Sequence, residues 1–339
     1  MKFLDLSGYM FSGKSAVSDI LREHSGFLVP NYRLEFDLLR VPHGLIDLKH
    51  ALVDNWSWLR SDKAIREFME LAVVLNRKPV TILEKVFKPG FGYSAIYKDF
   101  DTITSKFINS ITVDRWVMQL PYDLVFLGLW RHAKLKILSK LTGVYGWPNV
   151  EYQLSSGANF QSNVKTYLHE VLTSGLDLKN THTVVTHNML EPYDPSVGCY
   201  FFDDIKSIVV DRDVRDIYMT ATSYSHGFND FVPMYSRILG AFDVNLFINR
   251  QAVLRNRTNF DCNEHIMRIC FEDLVFKYEN SCDSIRKFLG ITPSEHHLKG
   301  VYFDPAVSEA NVGLWRKAEG SQLRAISQIE KHLPELCIQ

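Results

Sequence analysis

The chain lacks an excess of either charge: its 339 residues carry 38 Lys and Arg against 39 Asp and Glu, a formal net charge of -1. Such a balance supplies no global field for a phosphate backbone or an anionic membrane, which argues against bulk nucleic-acid binding but leaves room for a local anion site. Cysteine is scarce and unpatterned. The five thiols, Cys199, Cys262, Cys270, Cys282 and Cys337, include no C-x-x-C pair and read as free side chains in a reducing compartment. No apolar run reaches the roughly 20 residues a spanning helix needs. The longest, around Leu120 to Trp130, is broken by Pro121 and Asp123, so no transmembrane segment is expected. The opening Met1-Lys2-Phe3-Leu4-Asp5-Leu6 meets polar residues at once and does not read as a secretory leader, which makes the expected location cytoplasmic. Internal repeats and low-complexity tracts are also missing, which excludes solenoids. His24, His43 and His50, and the pair His296-His297, lack metal-ligand spacing, and no metal site is expected.

What is present is the composition of an ordinary folded protein, 46% hydrophobic and 23% charged, long enough to bury about three quarters of its unfolded surface without disulfides or metals. Phe3 to Leu6 is a short apolar run followed by glycines and a helical pattern at Val17, Ile20 and Leu21. Thr183 to Thr186, Ser207 to Val210 and Ile266 to Cys270 repeat the strand pattern far downstream, the last two again followed by helical spacing. Strand-then-helix alternation predicts an α/β fold with a parallel sheet flanked by helices. Between these pieces, residues from about 45 to 141 show helical spacing, for instance Ile65, Phe68, Ala72 and Leu75, then Ile111, Trp116, Leu120, Leu124 and Leu127. Pro79, Pro89-Gly90 and Gly143 to Pro148 punctuate that stretch as turns. The expectation is one α/β domain over residues 1–339, split by a large helical insertion at 45–141 whose position suits acceptor recognition. Within it, Arg131 to Lys140 is basic without a counter-charge. That run reads as a solvated helix face with Leu135, Leu138 and Leu141 buried, or as a surface for an anionic acceptor.

Gly8-Tyr9-Met10-Phe11-Ser12-Gly13-Lys14-Ser15 matches G-x-x-x-x-G-K-[ST] at every defined position, between a predicted strand and a predicted helix. That is the context the motif requires: glycines let successive backbone N–H groups converge on a phosphate, the helix N-terminus adds partial positive charge, and Lys14 reaches the outer phosphate. Such a loop identifies an anion, not a reaction. Nucleoside-triphosphate users and transferases with an adenosine phosphosulfate donor share it.

Downstream, Lys206 to Tyr224 reads KSIVVDRDVRDIYMTATSY: a buried strand, then Arg212 and Arg215 among carboxylates, then a helix with Thr220. Arg212 and Thr220 can converge on one phosphate, or Arg212 can belong to a salt-bridge network with its acidic neighbours. The Arg-Asp-x-Arg-Asp run with a hydroxyl eight residues on resembles the 3′-phosphate segment of sulfotransferases that use 3′-phosphoadenosine 5′-phosphosulfate (PAPS). Three further pieces stand in that family's order. Val185-Thr186-His187 resembles its Lys-Thr-His strand end, Phe271-Glu272-Asp273-Leu274-Val275 its Tyr-Glu-Asp-Leu helix start, and Ser308-x-x-Asn311-Val312-Gly313-Leu314-Trp315-Arg316 its C-terminal Gly-x-Trp-basic segment.

The resemblance implies PAPS as donor, adenosine 3′,5′-bisphosphate as product, no obligatory metal, and a carbohydrate or small-molecule hydroxyl or amine as acceptor. Ser12, Gly13, Lys14 and Ser15 would hold the 5′-phosphate, with Lys14 as charge stabiliser; Arg212 and Thr220 would hold the 3′-phosphate and Arg316 reach a donor phosphate. The general base would be His187, in register with the family's histidine, or Glu35, placed where glycan-type members carry a glutamate, with pairing to Arg33 or Arg40 as the plain alternative. Departures accompany the match. Phe11 stands where the family places Lys or Arg, so the loop cation has moved to Lys14; Val185 replaces a lysine; Ser308-Glu309-Ala310 replaces Arg-Lys-Gly. Two readings from other classes stay open: an ATP-dependent small-molecule kinase, in which Asp211 and Ser15 hold Mg²⁺, and a nucleotide-binding regulatory module without chemistry.

Overall fold

A computed structural model describes residues 1–30, 35–78, 90–119, 128–143, 149–176, 178–223 and 234–338. Arg33, Pro79, Pro89, Leu120, Leu124, Leu127, the 144–148 part of the glycine-to-proline turn and Tyr224 lie outside the described residues. The chain forms two compact units, one from residues 1–40 and 176–339, the other from 41–175.

The first unit is built on a five-stranded sheet in the order β2-β5-β1-β6-β7, from β1 (Lys2–Gly8), β2 (Phe27–Leu28), β5 (Thr183–His187), β6 (Ile205–Asp211) and β7 (Ile266–Cys270). Every strand pair is parallel. The four longer strands coincide with the apolar runs of the sequence, as expected for strands covered on both faces. Register brings Gly8 beside Val210 and Leu6 beside both His187 and Ile208, and pairs Asp211 with Cys270. The C-terminal ends of β1, β5, β6 and β7 therefore share one edge, where α/β proteins bind ligands.

The two faces of β1 do different work. Leu4 and Leu6 pack with Val17, Ile20 and Leu21 of α1 (Lys14–Arg22) and with Phe271 and Leu274 of α8 (Phe271–Phe276). Asp5 and Ser7 point the other way. The fully buried Asp5 carboxylate accepts from Thr186 Oγ1 (3.0 Å) and from the backbone N–H of Met189 (2.8 Å) and Leu190 (3.2 Å), and burial pushes its pKa up against those bonds. It thereby pins the turn after β5 to the central strand. A second apolar cluster joins Ile217 and Tyr218 of α6 (Val214–Ser223), Phe247 and Ile248 of α7 (Val244–Arg257) and Ile326 and Ile329 of α9 (Gly320–His332).

In the second unit, α2 (Trp58–Asn76), α3 (Phe100–Ile111) and α5 (Phe160–Thr173) bury Phe68, Phe107 and Tyr167 against one another, the last two stacked at 4.4 Å. The unit also contains α4 (Leu129–Thr142) and an antiparallel pair, β3 (Asp114–Gln119) with β4 (Asn149–Leu154). The helical reading through Trp116 is corrected here. Trp116 sits on a strand because its ring packs on Tyr152 at 4.6 Å across the pair, a contact between residues far apart in sequence that local spacing does not register.

Candidate active site

The loop from Gly8 to Ser15 closes over the end of β1 and feeds directly into α1. Gly13, the residue before the helix, sits at φ 86, ψ 18, a left-handed conformation that glycine adopts without cost. A Cβ there would lie 2.4 Å from Phe271 Cδ2, and one on Gly8 would lie 2.2 Å from Ser12 Oγ. The Phe271 ring and the left-handed backbone together demand glycine at 13, whereas the Ser12 hydroxyl opposite Gly8 can rotate aside. No side chain caps α1 among the described residues; Ala16 N–H donates to Gly13 O (2.9 Å), which leaves the N–H groups of Lys14 and Ser15 at the helix start to face a ligand. Ser12 is 1% exposed and its hydroxyl has no partner among the described residues, an orphan polar atom beside that helix start.

Ser12, Gly13, Lys14, Ser15, Glu35 and Arg40 line a cavity of about 570 Å³ at this edge of the sheet. Lys14 Nζ donates to Glu35 Oε1 (2.9 Å), and Arg40 Nη2 donates to Glu35 Oε2 (2.9 Å) and Asp37 Oδ1 (3.1 Å). Asn188, one residue beyond β5 and at φ 49, completes the group. Its amide donates to Glu35 Oε1 (2.5 Å) while its carbonyl accepts from Gly8 N–H (3.1 Å). Burial pushes the Glu35 carboxyl up, but Lys14, Arg40 and Asn188 outweigh it and hold the pKa below the ordinary value. The far wall carries Glu191, Tyr193 and Arg250. Tyr193 packs on Tyr9 at 5.1 Å, and burial raises the Glu191 carboxyl.

The remaining sequence-predicted residues are placed elsewhere. His187 is 1% exposed, its Nε2 lies 2.8 Å from Ser18 Oγ on α1, and it does not line the cavity. Arg212 bridges the loop to the C-terminal segment, donating to Phe11 O (2.8 Å) and Asn311 O (2.5 Å) with its guanidinium 5.2 Å from the Phe271 ring; burial lowers its pKa. It borders a smaller neighbouring cavity of about 210 Å³ with Tyr9 and Asp211. Thr220 donates to Asp216 O within its own helix (2.7 Å). The Arg316 guanidinium lies 5.1 Å from the Trp315 ring. The structure thus gathers the loop residues and Glu35 around one cavity and does not bring His187, Thr220 or Arg316 to it.

Two more groups shape this edge. Asp216 accepts from Gly313 N–H (2.7 Å) and Trp315 N–H (3.2 Å), so the Gly-x-Trp segment is anchored on α6. Asp211 is held by Arg268 through both oxygens, Nε to Oδ2 and Nη2 to Oδ1 at 3.0 Å each; Arg268 Nη2 also donates to Tyr9 OH (3.2 Å). Arg40 was named in the sequence as a partner of Glu35, and Asp216 belongs to the Arg-Asp-x-Arg-Asp run, whereas Asn188 and Arg268 were not singled out. Only Asn188 carries a local signal, an asparagine directly after a strand-end histidine, where a left-handed residue is tolerated.

The fold and this edge define a parallel-sheet α/β protein with a G-x-x-x-x-G-K-[ST] loop before its first helix. Compared with known proteins, the chain matches no family model and no curated protein. Among solved structures it is similar to the sulfotransferase domain of the Synechococcus PCC 7002 olefin synthase, at 13% identity and a TM-score of 0.40 over 98% of this chain and 94% of that one. The sulfotransferase domain of the curacin biosynthetic pathway is similar at 15% identity and a TM-score of 0.38, covering 96% of each chain. Sulfotransferase STF1 of Mycobacterium tuberculosis H37Rv is similar at 9% identity and a TM-score of 0.36, over 92% of this chain and 76% of that one.

Proposed function

We propose that the protein is a sulfotransferase that takes PAPS as donor and a hydroxyl or amine of a carbohydrate or other small molecule as acceptor, working in a reducing cytoplasm. The observation that carries the reading is the loop edge itself: an uncapped helix start, an orphan Ser12 hydroxyl and Lys14 facing a carboxylate across the same cavity. The site suits an anhydride-linked anion, since α1 starts without a side-chain cap and the buried Ser12 hydroxyl beside it has no partner among the described residues. When bound, the donor supplies an activated sulfuryl group. Ser12, Gly13, Lys14 and Ser15 hold its 5′-phosphate, and Lys14 offsets the charge that develops on the leaving oxygen. Arg212, whose buried Nε has no described partner, is assigned to the 3′-phosphate; Thr220 and Arg316 join it on exchanging their present contacts.

In this reading Glu35 rather than His187 is the general base, because Glu35 lines the cavity and His187 lies beneath α1. Held ionised by Lys14 and Arg40, Glu35 takes the proton of the acceptor hydroxyl or amine, while Asn188 fixes the carboxylate's orientation against the loop. Phosphoryl transfer is disfavoured by Arg268, which occupies both oxygens of Asp211, the carboxylate that would have to hold Mg²⁺ beside Ser15. A thermal-shift comparison tests the proposal. Adenosine 3′,5′-bisphosphate in EDTA should raise the melting temperature and lose that effect in Lys14→Ala. Stabilisation by ATP that requires Mg²⁺, with none from the bisphosphate, would turn the assignment to a kinase.

A further inference from the structure

The basic run of the sequence forms α4, and its exposure departs from the solvated-face reading. Leu138 is 45% and Leu141 79% exposed instead of buried, and the half-buried positions are His132, Leu135 and Ser139, which share one side of a helix. The opposite side carries Leu129, Ala133, Ile137 and Leu141 in a single row four residues apart, with Trp130 beside it. Leu129 is 90% and Trp130 89% exposed. The helix therefore shows an apolar row outward. Lys134, Lys136 and Lys140 are exposed along the borders of that stripe, and the sequence has no acidic residue between Asp123 and Glu151.

We infer that α4 is a docking surface for an anionic membrane, lying in the plane of the headgroups with Trp130, Ile137 and Leu141 inserted and the lysines on the lipid phosphates. Charge and shape select this occupant. An outward apolar row bordered by cations fits the boundary between headgroups and acyl chains. Nucleic acid would satisfy the lysines but leave Leu129, Trp130 and Ile137 in water. A second copy of α4 would oppose cation to cation with no acid between. Fourteen residues make a helix of about 21 Å, short of the roughly 30 Å of a bilayer core, so the helix lies on the surface without crossing. The net charge of -1 is compatible with this, because surface attraction acts within a Debye length and depends on the local cluster.

Sedimentation of the full chain with vesicles tests the inference independently of any transferase activity. Wild-type protein should pellet with phosphatidylcholine vesicles containing phosphatidylserine, fail to pellet with phosphatidylcholine alone, and dissociate as salt is raised. Replacing Lys134, Lys136 and Lys140 with Ala should weaken binding on the order of a hundredfold, about fivefold per cation. The pair Trp130→Ala and Ile137→Ala should weaken it more than tenfold with an unchanged melting temperature, since both side chains are exposed. Wild-type protein that ignores anionic vesicles, or variants that bind as wild type, would overturn the inference. So would a wild-type dimer in size-exclusion chromatography that Trp130→Ala converts to monomer, which would assign the stripe to a second copy.

Discussion

Replacing Glu35 by Gln should tighten binding of adenosine 3′,5′-bisphosphate while removing turnover. In the free protein the Glu35 carboxylate occupies Lys14 and Arg40, each at 2.9 Å, so an incoming phosphate must compete with it for Lys14. A charge-assisted contact is worth about 1.5 to 3 kcal/mol. The Glu35 side chain is 39% exposed, however, and solvent screening reduces its hold on Lys14 to about 1 kcal/mol. Neutralising it should therefore lower the Kd about fivefold. Lys14 is 16% exposed and supplies the cation itself, so Lys14→Ala should raise the Kd by about 10- to 100-fold. Removing a general base should cost about 10² to 10⁴ in kcat. Titration calorimetry with the bisphosphate, paired with steady-state turnover, reads both quantities on the same protein. Opposite signs for the two variants in binding, with loss of turnover in both, is the signature of a carboxylate that competes for the anion and accepts the proton. If Glu35→Gln binds the bisphosphate more weakly than wild type, Glu35 supports the loop instead of competing for it, and the base assignment falls.

The pH profile separates the two candidate bases. Glu35 has its folded pKa lowered, so its ionised form persists above the ordinary glutamate value, about 4.3, and is lost only as pH falls through the still lower folded value. The acid limb of kcat/KM should therefore lie below about pH 4.3, whereas a limb near 6.5 would point to a histidine. Gly13→Ala should lower unfolding free energy by about 2 kcal/mol or more, from the left-handed backbone and the 2.4 Å approach to Phe271; an unchanged urea midpoint would contradict the close approach. Asp216→Ala leaves Gly313 and Trp315 N–H without their acceptor and should cost about 2 to 4 kcal/mol. The segment around Gly313 should then become the first site cut in limited proteolysis, and an unaltered cleavage pattern would show that it is held by other contacts.

How much of this was legible from the sequence depends on how local each signal is. β1, β5, β6 and β7 are buried on both faces, and their apolar runs stand out against polar neighbours. β2 is two residues long and is a strand only because β5 offers it an edge. β3 exists only through β4, since most of its residues are exposed and nothing in Asp114 to Gln119 alone opposes a helix. The same contrast holds at the site. The loop is continuous in sequence and could be read whole, whereas the clasp around Glu35 draws on residues 14, 35, 40 and 188, brought together by the parallel crossover between β1 and β5. His187 kept its predicted place at a strand end, but whether that end opens to a cavity or faces α1 is decided by the twist of the sheet and the path of the following turn, which Asp5 holds from the far side of β1.

Phe11, at the position where the resembling family carries Lys or Arg, has φ 65, and its ring meets Tyr235 at 5.2 Å beside the cluster formed by α6, α7 and α9. Its carbonyl is the acceptor for Arg212. Phe11 and Tyr235 both line the cavity that Lys14 lines. Position 14, the first residue of α1, presents its side chain to the cavity next to a carboxylate. In the proposed reading the charge that faces the phosphate comes from the helix, while the carbonyl of Phe11 ties the loop, through Arg212, to Asn311 and the C-terminal segment.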